Sequence, residues 1–437
     1  MVFPHLLCKA PSLLPRDGAC CGALSQWGEE TLIRRTLMQR DRELAEFEID
    51  PTTGKARVID IANDDLVASA GLSRQNRDRV LTALIERRAL STMRKDKDEI
   101  LAAFGAKSPV DLALMGHGLS LSDQFWYRAP GSAERWEDVN FFDNGWDPGF
   151  GTAVLQGDYA RLATCSLDVP EVTTSGHAVK AWERDDDDIY LVKAAEHPDG
   201  AELVGAKLGS DLCALLFGEG YSVSLDVVER YGKPCSASPL MLDRCEEFVD
   251  GNRLCAMANM WESSTLSRGG ITTEACDAFI DAYLAIGVED ASAHVARRAC
   301  FSSLSLLLDF NPGNLGAIRK FDSDVWRAAP IFDFDGSFGF PFKGVSISYL
   351  CENPLFVELL CAHRFSFLKS SWDWSWYDTR ALDDFEDAIM EAYASCRSLP
   401  SAFAGLIARL FVDQRDYVNK VASGGGPIAA VEPTTSR

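Results

Sequence analysis

Asp309, Asn314 and Asp333 are the residues of this chain best spaced to do chemistry. Asp309 follows the apolar stretch Leu304–Leu308, so it emerges from a buried segment, and Asn314 stands five residues on in Asp309-Phe-Asn-Pro-Gly-Asn314-Leu-Gly. Asp333 follows the short apolar run Pro330-Ile-Phe332 and precedes Asp335-Gly336, where glycine permits a sharp turn. Carboxylate and amide oxygens placed in this way suit Mg²⁺ bound to phosphate oxygens, and an aspartate beside them can orient or deprotonate a hydroxyl acceptor. Asp335 is the competing register for the strand-borne carboxylate. Taken alone, Asn311-Pro-Gly-Asn314 also reads as a helix-ending turn.

Chemistry on phosphate needs cations as well. Lys193 ends the run Ile189-Tyr-Leu-Val-Lys193, and a lysine at the inner end of a buried strand costs desolvation unless an anion meets it. Glu202, nine residues later on a helical stretch, is the expected carboxylate partner that turns Lys193 toward phosphate. Upstream, Thr173-Thr-Ser-Gly176-His-Ala-Val-Lys180 combines hydroxyl residues with a glycine that lets backbone amides approach an anion. Each piece has a plainer reading, a β-turn for the glycine segment and a solvated surface pair for Lys193 and Glu202. The order gives the set its weight: glycine turn, strand lysine, helix glutamate, Asp-x₄-Asn, strand-borne Asp.

The elements that must position these residues divide the chain by texture. Residues 1–37 read as a leader outside the fold. Residues 38–117 read as a small α+β module, with a hairpin of Leu44–Ile49 and Ala56–Ile61 around Pro51-Thr-Thr-Gly54-Lys, and helices at Asp78–Arg88, Lys97–Phe104 and Pro109–Met115. Residues 118–160 form an aromatic-rich connector with little periodicity. Residues 161–256 are β-rich, with strands at Ala178–Trp182, Ile189–Lys193, Tyr221–Val228 and Leu240–Phe248 and one helix at Gly200–Phe217. Residues 257–422 are mostly helical, notably Thr273–Ile286, Ser292–Leu308 and Thr379–Ala394, and 423–437 read as a flexible tail. The fold class implied is α+β.

Totals narrow the function. The 437 residues carry a net charge of −22, a surface that repels phosphate backbones, so direct nucleic-acid binding is not expected. The 13 cysteines show no CxxC spacing and the six histidines form no ligand set, which disfavours zinc and points to a reducing, cytoplasmic setting. No apolar run approaches the ~18 residues needed to span a bilayer.

The motifs quoted above, together with GLSLSDQFWYRAPGSAERWEDVNFFDN and FLKSSWDWSWYDTRALDDFEDAI, resemble the HipA-like family of atypical Ser/Thr protein kinases over about residues 40–420. The resemblance implies a two-lobed protein-kinase-like fold, a β-rich N-lobe and a helical C-lobe, preceded by the small α+β module. It implies ATP and Mg²⁺ as cofactors and a protein substrate. Thr173, Gly176 and Lys180 match the family's glycine loop, which makes Thr173 a candidate self-modification site. Lys193 matches the ATP lysine, with Glu202 beside it; Asp309 matches the catalytic aspartate, and Asn314 and Asp333 the metal ligands. An antitoxin-like partner is a further family-level implication. The chain departs from the pattern after Asp309, where Phe310 and Asn311 replace Arg-His, and at Leu307, which stands in place of Asn. A nucleotide-binding pseudokinase or regulatory toxin–antitoxin component without turnover is therefore the alternative.

Overall fold

The computed structural model describes residues 32–62, 77–197, 199–258, 272–307, 312–339, 346–364 and 367–425. Asp309 lies outside the described residues, as do Phe310, Asn311 and the expected leader and tail over 1–31 and 426–437.

The first sheet is antiparallel, in the order β3-β2-β1-β4, with β1 at Ile33–Gln39, β2 at Arg42–Ile49, β3 at Ala56–Ile61 and β4 at Phe125–Arg128. The β2–β3 turn closes where glycine is needed: Gly54 has φ +71° and its N–H donates to the Asp50 carbonyl at 2.8 Å. The helix Arg77–Arg87 lays Leu81, Leu84 and Ile85 against Leu37, Phe47 and Tyr127. Ser108 caps the helix Pro109–Met115, accepting the Asp111 N–H at 3.0 Å ahead of Pro109.

Two sequence expectations change here. Strand β1 starts at Ile33, so the boundary expected at 37/38 falls inside a strand; its two adjacent arginines, Arg34 and Arg35, hide the alternation. The connector supplies β4, with Thr36 to Gln39 paired antiparallel to Arg128 to Phe125. Its aromatics form a bridge, since Trp126 and Phe141 join Met38 of β1 and Ile189 and Trp182 of the next sheet in one apolar cluster.

That second sheet runs β5-β6-β8-β7, with β5 at Lys180–Asp185, β6 at Asp188–Ala194, β7 at Asp226–Arg230 and β8 at Lys233–Pro239. One helix, Ala201–Phe217, follows β6. The strand expected over Leu240–Phe248 is not formed as such; β8 ends at Pro239 and β9 begins at Glu246.

Beyond it lies the helical half around a three-stranded sheet, β11-β10-β9, with β9 at Glu246–Asp250, β10 at Gly316–Lys320 and β11 at Val325–Ala328. Helices Thr273–Ala285, Ala291–Leu304, Phe385–Tyr393 and Phe403–Ala422 bury Phe279, Tyr283, Phe301, Phe334, Phe338 and Phe411 in the largest core. The helix expected to reach Leu308 stops at Leu304, and Leu306 takes φ +57°. The one expected from Thr379 begins at Phe385, after Asp384 at φ +66°. The architecture is α+β, a β-rich lobe and a helical lobe preceded by a smaller α+β module. Among the described residues no helix is long and apolar enough to cross a membrane.

Candidate phosphate-binding site

Strands β5 and β6 are antiparallel with Lys180 directly opposite Lys193, and Ala181 opposite Val192 on the other face. Ala181 and Val192 are sealed into a small core with Leu155, Cys235 and Ala237. Both lysines therefore project from the same face, an arrangement of like charges that destabilises a sheet unless anions intervene.

For Lys193 those anions are Asp333 and Asp335. The Lys193 ammonium donates to Asp333 Oδ1 at 2.8 Å and to Asp335 Oδ2 at 2.9 Å. Burial alone would lower the Lys193 ammonium, but the two carboxylate charges outweigh it and hold it well above its ordinary value. Burial opposes ionisation of Asp333 as well, yet the facing Lys193, with Lys180 and Arg298 behind it, leaves its carboxyl below the usual range. Lys180 is different: burial, and then repulsion from Lys193, push it down to about 8. Its Nζ donates to the Ser175 carbonyl at 2.6 Å.

The turn that carries Asp333 is fixed on both sides. Before it, Ile331 bridges in parallel to Ser222; its N–H donates to Tyr221 O at 2.8 Å and its carbonyl accepts from Val223 N at 2.9 Å. Arg298, buried in the helical lobe, donates to the Phe332 carbonyl at 3.2 Å. After it, Phe334 packs edge-on against Phe301, ring centroids 5.6 Å apart. Asp333 itself takes φ +59°, a left-handed conformation that aspartate and asparagine tolerate better than most residues. Gly209 on the helix after β6 lets the turn approach, because a Cβ there would meet Ser337 Oγ at 2.8 Å.

Asn314 closes a short 3₁₀ turn, Pro312–Asn314, just ahead of β10. Ala317 of β10 pairs with Ala328 of β11, and Ala329 N–H donates to Gly316 O at 2.9 Å. Asn314 and Asp333 therefore leave the β10–β11 pair at the same end.

The glycine turn lies beside the lysines. Gly176 has φ +94°, and a Cβ at this position would lie 2.5 Å from Lys180 Nζ. Gly176→Ala should therefore cost about 1–2 kcal/mol of stability and displace the ammonium, read as a lower denaturant midpoint. Thr173 is buried, its hydroxyl donating to Leu119 O at 2.7 Å, while Ser175 is exposed.

Glu202 differs from expectation. Its Oε1 accepts the backbone N–H groups of Glu196 and, at 3.0 Å, His197, so it ties down the β6 exit rather than Lys193. The sequence weighed Asp335 only as an alternative to Asp333; in the fold both carboxylates meet the same ammonium. A cleft of about 300 Å³ opens behind Val179 and Ala194, lined also by Lys95, Tyr159, Glu196 and Lys233. Its charges are spent internally: Lys95 pairs with Glu196 at 2.9 Å, and Lys233 donates to the carbonyls of Leu155 and Gln156 at 3.0 and 3.3 Å. Among the described residues no three or more His, Cys, Asp or Glu side chains gather into a metal cage. Mg²⁺ needs none, since it binds through one or two carboxylates plus substrate phosphates and keeps several waters.

No family model matches the chain, and no curated protein sequence matches it. Among solved structures it is similar to the Helicobacter pylori proinflammatory kinase CtkA, at 13% identity and a TM-score of 0.41, covering 56% of this chain and 93% of that one. It is also similar to a chain of the Shewanella oneidensis MR-1 toxin–antitoxin complex of HipA, HipB and operator DNA, at 11% identity and a TM-score of 0.46, covering 90% of this chain and 98% of that one.

Proposed function

We propose that the chain is an ATP- and Mg²⁺-dependent kinase that transfers a phosphoryl group to Ser or Thr of a protein. One observation carries the reading: of two lysines opposed on one sheet face, Lys193 meets both Asp333, on a left-handed turn, and Asp335, while Lys180 is held by the glycine turn alongside. Lys193 and Lys180 would hold phosphate oxygens, and Gly176 leaves room for the Lys180 ammonium to reach them. Asp333 and Asn314 offer the hard oxygen donors that suit Mg²⁺, which when bound would offset the charge on the phosphates. Asp309 is assigned from the sequence as the residue that orients the acceptor hydroxyl. Of the loop hydroxyls, Ser175 is exposed and Thr173 is not, so phosphate gained by self-modification is assigned to Ser175. A protein substrate and an antitoxin-like partner are parts of the same proposal.

The competing reading, nucleotide binding without turnover, is favoured by Phe310 and Asn311 in place of the basic residues of the resembling family. Calorimetric titration with ATP, with and without Mg²⁺, tests what the two share. Lys193→Ala should weaken binding about 10- to 100-fold, the loss of charge-assisted hydrogen bonds; unchanged affinity would remove Lys193 from the site. Mass spectrometry of the purified protein for phosphate on residues 173–175 separates turnover from binding alone.

Lys180 adds a pH dependence. With its ammonium at about 8, phosphate affinity should fall as pH rises from 7 to 9, and Lys180→Met should flatten that profile. Stability runs the other way. The folded group holds its proton less tightly than the unfolded chain, so unfolding takes up a proton between about pH 8 and the ordinary 10.5, and its burial cost fades across that window. An affinity profile equally steep in Lys180→Met would exclude Lys180 as the titrating group.

A further inference from the structure

The N-terminal module reaches the glycine turn through one buried guanidinium. The Arg94 side chain is 0% exposed and that of Asp96 is 2% exposed. Arg94 Nε and Nη2 donate to the two carboxylate oxygens of Asp96 at 2.7 and 3.2 Å. Its remaining hydrogen bonds go to the turn, Nη1 to Thr174 Oγ1 at 2.8 Å and Nη2 to the Lys180 carbonyl at 2.9 Å. One planar group therefore touches both the beginning and the end of the segment 174–180. The backbone follows the same path: Ser91 N–H donates to Thr174 O at 3.4 Å and Lys95 N–H to His177 O at 3.2 Å.

A buried ion pair is a poor way to gain stability, because apolar residues of similar volume commonly do as well or better. What a guanidinium supplies is direction: its donors lie in one fixed plane, which a lysine cannot reproduce. The turn it spans holds Gly176 at φ +94°, and its last residue is the lysine whose ammonium faces the site.

We propose that Arg94 is a positioning residue for phosphate binding: with Asp96 it clamps Thr174 and the Lys180 backbone, so the N-terminal module sets the shape of the glycine turn. The inference rests on the phosphoryl-transfer reading for its consequence, though not for the clamp itself.

Two variants of the full chain test it, Arg94→Lys and Thr174→Val. The second keeps the volume and leaves the Arg94–Asp96 hydrogen bonds in place. It removes the Arg94 contact to Oγ1 together with the Oγ1 donation to Glu171 O at 2.8 Å, so Arg94→Lys, which spares the Glu171 bond, is its control. Amide hydrogen exchange across 174–180, titration with ATP and Mg²⁺, and initial-rate phosphoryl transfer are the three readouts. The expected result is faster exchange confined to that segment in Thr174→Val, with ATP affinity about tenfold weaker and kcat less affected than KM. Arg94→Lys should show the same pattern, more strongly. Should Arg94→Lys loosen the whole module, Thr174→Val alone decides. Wild-type exchange and wild-type ATP affinity in Thr174→Val would overturn the proposal. If the wild-type chain binds no ATP, the phosphoryl-transfer reading fails, while the exchange arm still reports whether the clamp holds the turn.

Discussion

Asp333→Asn should lower phosphoryl transfer by about 10²–10³-fold, the scale of losing one preorganised electrostatic contact, here by weakening the oxygen donor that would hold Mg²⁺, while the protein stays folded. Asparagine is the informative substitution because residue 333 sits at φ +59°, where alanine would add backbone strain to the loss of charge. It also nearly preserves the volume between the Arg298–Phe332 contact and buried Phe334. The Lys193 ammonium keeps Asp335 as a partner, so the site does not acquire an unpaired buried cation. The measurement is initial-rate transfer from labelled ATP with Mg²⁺, alongside a thermal unfolding curve. Transfer at the wild-type rate in this variant would sink the assignment of Asp333 as a metal ligand. A wild-type chain that binds ATP but labels nothing would support the pseudokinase reading.

Arg88→Met should strongly destabilise the N-terminal module. The Arg88 side chain is 4% exposed; Nη1 pairs with Asp123, and Nη2 donates to Gly118 O at 2.6 Å and Phe125 O at 2.5 Å. It joins the end of the Arg77–Arg87 helix to the segment that becomes β4, so the contact spans 30–37 residues of sequence. Removing one partner of a buried pair costs about 3–5 kcal/mol, chiefly because the other charge is stranded. The measurement is amide hydrogen exchange of β1 and β4 in the full chain, which reads the opening of this module separately from the rest. Adding Asp123→Leu should recover part of the loss. A single-variant cost below about 1 kcal/mol would show the pair to be energetically idle.

What the sequence disclosed was mostly local. The β2–β3 hairpin is written in Pro51-Thr-Thr-Gly54, and the helix Pro109–Met115 in Ser108-Pro109, because turn and cap chemistry depend on neighbouring residues. Lys193 stood out because a charged residue closes an apolar β run. Long-range pairing left no such trace. Strand β4 is four residues inside an irregular segment and is recruited by β1, about 90 residues upstream. Strand β8 carries Pro234 and Pro239, which argue against a strand locally and are tolerated near its two ends. The Phe403–Ala422 helix is local too, with Leu406, Ile407, Leu410, Phe411, Tyr417, Val418 and Val421 at helical spacing.

At the site the same division holds. Gly176, Lys180, Lys193 and Asp333 were each visible as residue types suited to phosphate, and the fold gathers Lys180, Lys193 and Asp333 around one sheet face. Which carboxylate meets which ammonium was not legible, because Glu202 and Asp335 differ only in where the chain returns. Arg94 gave no signal either, since a buried arginine and a solvated one look alike in sequence.

The register of β5 against β6 has a further consequence. With Lys180 facing Lys193 and both carboxylates on the Lys193 ammonium, the cluster would act as an ion exchanger loaded with its own counter-ions. A polyanion that captures the lysines leaves Asp333 and Asp335 as a repelling pair; a cation that captures the aspartates does the same to the lysines. Only their joint arrival leaves neither pair uncompensated. Each should therefore raise the apparent affinity for the other, and by linkage the two factors must be equal.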